Sequence, residues 1–300
     1  MLAGSRALSR TRKKRLSSNN CVVSDMSERP PFIYISGLPR TGSTLISEVL
    51  TELPYSFIFN EPHLGKNYFA VQDQDLIAVR ACGVDLRAFR KRRLIKAFLL
   101  RRGRWLGLSQ DYFIREFKRH LVPMLSRCVR QIGVKEIKHT GWENYAHHFP
   151  EMKVIMLARD PRDIYLSYFR LWKTGVVAWK GEFTPAKVAN FINREFSLQL
   201  SISQSTETMK VRYEDFCTQP EMINRVKSFI KSQIPNSGKV GAFVSRHRIR
   251  RSEWDLHGGK ITQKSINRWR EESDRRLLEQ SHEFFNLLSD YSNFWGYVSE

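Results

Sequence analysis

Two features that many proteins have are missing from this 300-residue sequence: long apolar runs and closely spaced cysteines. Because a membrane-spanning helix needs about 20 successive apolar residues, the sequence predicts no transmembrane segment. The four cysteines form no CxxC pair, so they predict neither a zinc site nor a disulfide framework. A reducing compartment fits them best.

Acidic residues are also scarce. The chain has 30 Asp and Glu against 50 Lys and Arg, which gives a formal net charge of +20 and a pI near 10.1. A charge of this size predicts attraction to polyanions, a class that includes nucleic acid, anionic membranes, acidic glycans and phosphorylated cofactors. The sequence carries no recognisable nucleic-acid-binding motif, so a specific nucleic-acid partner is not predicted.

The beginning of the chain differs in composition from the rest. No acid precedes Asp25, and basic residues accumulate among Ser and Asn from Arg6 to Arg15 without the apolar core of a secretory signal. We interpret residues 1–29 as a basic disordered tail, with an organelle-targeting peptide as the alternative. A single domain, residues 30–300, is predicted to start at Pro30-Pro31. A cytoplasmic location is expected unless the tail directs the protein to an organelle.

Short apolar runs alternate with segments of helical periodicity over the remainder of the chain. The predicted strands are Phe32 to Ile35, Ser56 to Phe59, Ile132 to Ile137, Lys153 to Leu157 and Thr208 to Val211. The predicted helices are Leu45 to Leu50, Arg80 to Arg104, Tyr112 to Val129, Ile164 to Phe169, Pro185 to Leu200, Pro220 to Ile230 and Trp269 to Leu288. This alternation predicts an α/β fold with a central parallel sheet flanked by helices. Ligands of such sheets bind beyond the carboxyl ends of the strands.

The loop SGLPRTGSTL, from Ser36 to Leu45, follows the first predicted strand and leads into a helix. The backbone N–H groups of such a loop point at one spot and form a phosphate-shaped site. The spacing of Gly37 and Gly42 nearly matches the nucleotide-binding P-loop, but Ser43 stands where that pattern requires lysine. The cation of this loop is Arg40 instead. We therefore expect a phosphate-bearing donor other than a nucleoside triphosphate.

A second candidate for anion binding follows the fourth predicted strand. Arg159 leaves the end of that strand, and Ser167 lies about two turns into the next helix. A guanidinium group offers a planar set of donors that suits a phosphate, and the serine adds a hydroxyl. The alternative is a capped helix start at Asp160 and Pro161 with a solvated Arg162, which leaves Arg159 unexplained.

Taken together, these motifs resemble those of sulfotransferases that use 3′-phosphoadenosine 5′-phosphosulfate (PAPS). The segment from Pro39 to Thr44 is similar to the family's 5′-phosphosulfate loop, and Arg159 to Arg162 with Ser167 is similar to its 3′-phosphate motif. Weaker matches follow, in the same order along the chain as in the family. They are Tyr213-Glu214-Asp215 after a strand, a late Arg268-Trp269 and a closing Gly296-Tyr297.

The resemblance implies a P-loop-like sulfotransferase fold, PAPS as donor and no metal. It implies donor binding by a set of nine residues, with Tyr213 near the adenine: Arg40, Thr41, Gly42, Ser43, Thr44, Arg159, Ser167, Tyr213 and Arg268. Catalysis should rest on in-line positioning and on stabilising charge at the bridging oxygen, which falls to Arg40 and the Gly42-Ser43-Thr44 amides. Lys135 is at a strand end where many relatives carry Gly-x-Lys. It either assists the departing phosphate or orients the acceptor, or it is a solvated strand lysine.

The acceptor hydroxyl needs a base. Glu61, in the segment FNEPH after the second predicted strand, resembles the base of glycan- and tyrosine-directed sulfotransferases; His63 is the alternative. The predicted acceptor is a hydroxyl on a carbohydrate or glycolipid. The basic stretches 80–104 and 246–251 are either solvated faces or an electropositive cleft for an anionic acceptor. His139, His147 and His148 show no metal-ligand spacing and are interpreted as surface or acceptor-pocket residues.

Two other functions remain open from the sequence. A P-loop kinase needs a lysine at position 43 and a magnesium-holding acid, and Asp160 is a poor substitute for the latter. A polyanion-binding protein without activity is supported by the charge alone. The sequence gives no prediction of oligomeric state.

Overall fold

The structure is a computed structural model, and it describes residues 30–64, 75, 79, 110–175, 182–235 and 261–299. The predicted basic tail, the helix predicted from Arg80 to Arg104 and the basic stretch 246–251 lie outside the described residues. Within the described ranges, no helix combines the length and apolar character that crossing a membrane requires.

A central sheet organises the fold. Its five strands are β1 (Ile33–Gly37), β2 (Ser56–Asn60), β3 (Gln131–Glu136), β4 (Lys153–Ala158) and β5 (Thr208–Arg212). They lie in the order β2-β3-β1-β4-β5, and every pairing is parallel. The predicted α/β fold with a central parallel sheet is therefore confirmed.

Helices and turns connect the strands. In the described part of the chain they are α1 (Ser43–Val49), α2 (Gln110–Glu116), a π-helical turn (Phe117–Leu121), α3 (Val122–Leu125), α4 (Trp142–His148), α5 (Pro161–Lys173), α6 (Pro185–Ser205), α7 (Tyr213–Thr218), α8 (Pro220–Phe229), a 3-10 turn (Arg268–Glu271), α9 (Arg275–Asn286) and α10 (Ser289–Trp295). The sequence did not predict α4, α7 or α10.

One predicted helix, Trp269 to Leu288, was wrong at its beginning. Trp269 belongs to the 3-10 turn, and α9 starts only at Arg275. The physical reason is Asp274, whose carboxylate accepts the backbone N–H of Leu277 at 3.1 Å and caps the helix there.

Both faces of the sheet are covered by apolar clusters. Tyr34 of β1 packs into a cluster that contains Phe117 and Tyr145, whereas its neighbours Ile33 and Ile35 pack into a second cluster. Because successive strand residues point to opposite faces, this division shows that β1 is buried on both sides. The candidate site lies at the strand ends, where loops leave this covered sheet.

Strand register brings the informative loops to one edge. Ile35 lies between Lys135 of β3 and Ile155 of β4, and Asn60 pairs with Lys135. On the other side, Ala158 pairs with Arg212. The loops after β1, β2, β3, β4 and β5 therefore leave the same edge of the sheet.

Candidate active site

The loop after β1 has the tight geometry that its sequence predicts. Both the N–H and the hydroxyl of Thr41 donate hydrogen bonds to the carbonyl of Leu38. Gly42 begins α1 with φ at +80°, and a Cβ at this position would stand 2.2 Å from the ring of Tyr213. A side chain cannot fit there, so the loop requires glycine for both its conformation and its packing.

Arg159 lies beside this loop, directly after β4. Its guanidinium group contacts the carbonyls of Arg40, at 3.3 Å, and of Ser265. Asp163 approaches it at 3.4 Å, and the ring of Tyr213 lies 4.8 Å from its Cζ. The Nε atom is buried and has no hydrogen-bond partner among the described residues. A buried donor without a partner costs about 1–3 kcal/mol, so an anionic group fits this position.

The two predicted anion-binding motifs meet directly. The Nε of Arg40 donates to the hydroxyl of Ser167 on α5 at 2.8 Å, and Arg40 has a positive φ of 70°. The side chain of Arg40 in the loop after β1 thus contacts Ser167 of the second motif. Arg159 of the second motif in turn contacts the backbone of Arg40. The structure therefore brings together Arg40, Arg159 and Ser167 as a single cationic surface.

Asp160, Pro161 and Arg162 have a structural role. The carboxylate of Asp160 caps α5 by accepting the N–H of Arg162 at 2.8 Å, and it also pairs with the Arg162 guanidinium. That guanidinium is buried over the ring of Trp269, with 3.8 Å between Cζ and the ring centroid. The interpretation of Arg162 as a solvated residue was wrong. It holds the 3-10 turn onto α5.

Asp163 is the acid nearest to Arg159. Burial raises the pKa of Asp163 to about 6, although Arg159 beside it and the N–H of Trp269 act in the opposite direction. Asp163 was not among the residues predicted from the sequence. Its signal was its place in the first turn of α5, four residues after Arg159.

The Tyr-Glu-Asp segment opens α7 after β5. Tyr213 is buried against Gly42 and Arg159, and burial raises the pKa of its hydroxyl. Glu214 accepts the N–H of Asp160 at 2.9 Å and the hydroxyl of Tyr297 at 2.8 Å. These contacts fasten the last strand and the C-terminal segment to the start of α5. Arg268 lies half-buried on the 3-10 turn, and its role in donor binding stays a prediction.

A second group of charges lies on the other side of β1. Glu61 follows β2, and its carboxylate pairs with the Nζ of Lys135 at the end of β3. The backbone repeats this contact, since the N–H of Glu61 donates to the Lys135 carbonyl at 2.7 Å. Lys135 is 1% exposed, so the alternative of a solvated lysine was wrong. A buried ammonium group beside a carboxylate can stabilise an ionised base.

His63 lies next to this pair and is held by Glu136. Its backbone N–H donates to Oε1 of Glu136 at 2.7 Å, and its Nδ1 lies 2.8 Å from Oε2. The hydroxyl of Tyr145 donates to Oε1 as well, at 3.2 Å. The Nε2 of His63 stands 3.9 Å from Glu61. The sequence analysis missed Glu136, although it directly follows Lys135 at the same strand end.

Charges from both groups act on Tyr168 of α5. Burial raises the pKa of Tyr168, the charge of Arg40 lowers it, and the charge of Glu61 raises it. Both charges therefore act on the same hydroxyl. We call Arg40, Arg159, Ser167 and Tyr213 the donor side, and Glu61, His63, Lys135 and Glu136 the acceptor side.

His139 does not lie at the surface or in an open pocket, as the sequence suggested. It is fully buried, with its ring nitrogens 3.3 Å from the hydroxyl of Tyr34 and 3.4 Å from that of Ser36. Its backbone N–H donates to the buried Glu195 of α6. His139 is part of a buried polar network beneath the loop after β1.

His147 and His148 end α4. With Asp111 they form a group whose ligand atoms lie within 4.8 Å of one another, and His148 pairs with Asp111 at 2.7 Å. Lys118, however, donates to the His148 carbonyl. Its positive charge opposes a bound cation, so a hydrogen-bonded pair between α2 and α4 explains the geometry.

A comparison with protein families gives the class. The model of the sulfotransferase family matches residues 31–231, well over half of the chain. The chain belongs to the sulfotransferase family and is an enzyme of that class, which confirms the resemblance to PAPS-dependent sulfotransferases. The comparison with curated protein sequences gave no match.

Solved structures agree on the fold. The sulfotransferase domain from the curacin biosynthetic pathway is 17% identical, with a TM-score of 0.57 over 88% of this chain and 99% of that one. The sulfotransferase domain of the Synechococcus PCC 7002 olefin synthase is 15% identical, with a TM-score of 0.57 over 88% and 96%. A sulfotransferase from Mycobacterium avium is 13% identical, with a TM-score of 0.50 over 89% and 77%. At these identities the likeness establishes the fold alone.

Proposed function

We propose that this enzyme transfers a sulfuryl group from PAPS to an acceptor hydroxyl. The observation that carries the proposal is the contact between Arg40 and Ser167 with Arg159 beside it. It joins the loop that resembles a 5′-phosphosulfate site to the motif that resembles a 3′-phosphate site. A donor with one anion at each end of an adenosine fits such a paired arrangement. The Nε of Arg159, which has no hydrogen-bond partner in the part of the chain that the structure describes, supports the same assignment.

The reaction needs one bond to form and one to break. PAPS supplies the sulfuryl group, the acceptor oxygen bonds to its sulfur, and the bond from sulfur to the bridging phosphate oxygen breaks. The acceptor proton passes to a base, for which we propose the carboxylate of Glu61. Arg40 and the amides of Gly42, Ser43 and Thr44 stabilise the charge that develops on the departing phosphate. Lys135, which contacts Glu61, keeps that carboxylate ionised and oriented.

For the acceptor we propose a hydroxyl of a carbohydrate or glycolipid. The support is the glutamate at the end of β2, which resembles the base of glycan-directed sulfotransferases, together with the formal charge of +20, which favours an anionic acceptor. A nucleoside-triphosphate kinase is not supported. Position 43 carries a serine that is buried against Gly37, so no cation from this position reaches a phosphate.

Calorimetry with adenosine 3′,5′-bisphosphate, the product left by the donor, tests the donor assignment. We expect binding without magnesium and much weaker binding in Arg159→Gln. Absence of binding in the wild-type protein would overturn the proposal. Radiolabelled PAPS incubated with sugars, glycolipids, phenols and steroids then tests the acceptor class, and labelling of phenols or steroids alone would contradict a carbohydrate acceptor.

A further inference from the structure

We propose that Tyr291 of α10 and Tyr297, which follows that helix, are positioning residues for the donor. They fix the backbone of the turn after β4, from which Arg159 reaches the 3′-phosphate. This inference rests on the proposed function, because it gives the end of the chain a role in the affinity for PAPS. The hydroxyl of Tyr291 accepts the N–H of Arg159 at 2.9 Å and donates to the carbonyl of Arg159 at 3.0 Å. One side chain thus binds both backbone groups of this arginine.

The first step of the argument is the place of Arg159 in the sheet. The pairing of β4 with β1 ends at Leu157, and its pairing with β5 ends at Ala158. Arg159 is therefore the first residue beyond the regular pairing on both sides. It is 5% exposed, so its backbone N–H and carbonyl need partners within the protein. Tyr291 supplies one acceptor and one donor at this point.

The second step is that Tyr291 is itself fixed. Its side chain is fully buried, and its ring packs edge-on against Phe196 of α6, with 5.1 Å between the ring centroids. The ring of Tyr297 stacks on it from another side. Burial raises the pKa of the Tyr291 hydroxyl well above its ordinary value, so the group keeps the proton that it donates to Arg159.

The next part of the turn is bound from the same end of the chain. Glu214 accepts the N–H of Asp160 at 2.9 Å, and the hydroxyl of Tyr297 donates to the other oxygen of Glu214 at 2.8 Å. Pro161, where α5 begins, has no N–H to satisfy. The two tyrosines therefore fix the turn at two places, Tyr291 directly and Tyr297 through Glu214.

Fixing the backbone of Arg159 fixes the direction in which its side chain leaves the strand end. The guanidinium group contacts the Arg40 carbonyl of the loop after β1 and lies 4.8 Å from the ring of Tyr213. A group that is in place before the ligand arrives binds more tightly, because ordering a long side chain on binding lowers the affinity. The sulfuryl group is at the other end of PAPS, so the tyrosines should affect donor binding and not the transfer step.

Tyr291→Phe is the sharpest test, because it removes one oxygen atom and keeps the ring. We expect the dissociation constant for adenosine 3′,5′-bisphosphate, measured by calorimetry, to rise about tenfold. The KM for PAPS should rise by the same factor with kcat unchanged, measured with the acceptor that the labelling assay identifies. A fall in kcat with an unchanged KM would overturn the proposal.

Tyr165→Phe is the matched control. It removes the hydroxyl of another fully buried tyrosine, whose partner is the side chain of Gln280 on α9 at 3.3 Å. It should bind adenosine 3′,5′-bisphosphate like the wild type. Equal affinity in Tyr291→Phe and Tyr165→Phe would overturn the positioning role alone, whereas absent binding in the wild-type protein would overturn the donor assignment.

A double-mutant cycle separates positioning from a general loss of packing. Because the hydroxyl of Tyr291 acts through Arg159, Tyr291→Phe should weaken binding no further in an Arg159→Gln background. Additive losses would mean that Tyr291 supports the site by another route, and would overturn the proposal.

Tyr297→Phe provides the test if Tyr291→Phe does not fold, which near-UV circular dichroism reports. It removes the contact with Glu214 and leaves Tyr291 in place, so we expect binding to weaken about two- to threefold. This loss should also disappear in the Arg159→Gln background. Wild-type affinity in a folded Tyr297→Phe would overturn the role of the second tyrosine, and with it the proposal that both fix the turn.

Discussion

The donor side and the acceptor side of the site treat their charges in opposite ways. On the acceptor side each carboxylate has its own cation or donor, since Glu61 pairs with Lys135 and Glu136 with His63. On the donor side two arginines converge: Arg40 donates to the hydroxyl of Ser167, and Arg159 lies beside the Asp163 carboxylate, whose pKa is raised by burial. Arginines therefore converge where an anion has to bind, whereas each carboxylate is matched with a cation or a donor where a proton has to move.

The two sides share one feature, which is strain in the backbone. Five non-glycine residues of the described chain have a positive φ, and three of them are Arg40, Glu61 and His63. Because this conformation is unfavourable, its concentration in residues with proposed roles indicates that the fold imposes their orientation. The backbone conformation of the loops thus fixes the direction in which these three side chains leave the chain.

The largest expected effect is at the acceptor side. Glu61→Gln keeps the size of the side chain but cannot accept a proton, so turnover should fall about 10²- to 10⁴-fold. Binding of adenosine 3′,5′-bisphosphate should stay at the wild-type level, because the donor side is untouched. Transfer from radiolabelled PAPS measures the first quantity and calorimetry the second.

The control for this variant is Glu207→Gln, which neutralises an exposed carboxylate paired with Lys153 at the far end of β4. It should be fully active. If Glu61→Gln were as active as this control, Glu61 would not be the base, and His63 would take its place in the mechanism.

The second prediction concerns the loss of an arginine from the donor side. Arg159→Gln removes the guanidinium group, and we expect affinity for adenosine 3′,5′-bisphosphate to fall about 100-fold, since a charged hydrogen bond contributes about 1.5–3 kcal/mol. Arg159→Lys keeps the charge but not the planar geometry, so it should be intermediate. Calorimetry measures both.

Arg170→Gln is the matched control, because it removes an arginine of α5 whose side chain is exposed and pairs with Glu272. It should bind like the wild type. Equal affinity in Arg159→Gln and Arg170→Gln would mean that general positive charge, not the strand-end arginine, attracts the ligand.

The sequence singled out the residues of the donor side more completely than those of the acceptor side, for a physical reason. Arg40, Gly42 and Arg159 belong to short local patterns in which glycine and strand-end residues have few alternative explanations. Glu136 carries no such pattern. Its role comes from pairing of β2 with β3, which brings His63 across from it over a separation of 73 residues.

Burial was the other property that local sequence did not reveal. Lys135, His139 and Arg162 are polar and were considered solvated or superficial, yet all three are buried. Each is compensated by a partner from a different element: Glu61, Ser36 and Trp269, respectively. Such compensation depends on tertiary packing, so it follows from the fold and not from composition. The strands, by contrast, followed from their apolar runs.

The third prediction concerns Asp163, the carboxylate on the donor side. Its pKa is about 6 in the folded protein and about 3.9 in an unfolded chain, so the folded state retains a proton that the unfolded state releases. The stabilising contribution of this proton is complete below about pH 4 and is lost as the pH rises through about 6. From pH 4 to 7, Asp163→Asn should therefore gain up to about 3 kcal/mol relative to the wild type.

Denaturant unfolding of both proteins at several pH values measures this difference. Other carboxylates titrate equally in the two proteins and cancel in the comparison. Parallel stability curves would show that Arg159 compensates Asp163 fully, and the contrast in charge between the two sides would then disappear.

The smallest expected effect tests how tightly the donor side is packed. Gly42 and Gly175 both have positive φ, +80° and +69°, but an added Cβ meets Tyr213 at 2.2 Å in the first case and no atom of the described residues within 4 Å in the second. Alanine at either position incurs the backbone penalty of about 1 kcal/mol. Only Gly42→Ala must also displace the ring of Tyr213, and with it the contact to Arg159.

We therefore expect Gly42→Ala to be less stable than Gly175→Ala by about 1–2 kcal/mol and to bind adenosine 3′,5′-bisphosphate more weakly, whereas Gly175→Ala should bind normally. Both variants incur the backbone penalty, so the difference in their stability measures the contact with Tyr213 alone. Equal stability and equal binding would mean that the loop can move away from Tyr213 at no cost. The donor side would then be the adaptable half of the site, and the strained loop of Glu61 and His63 the rigid one.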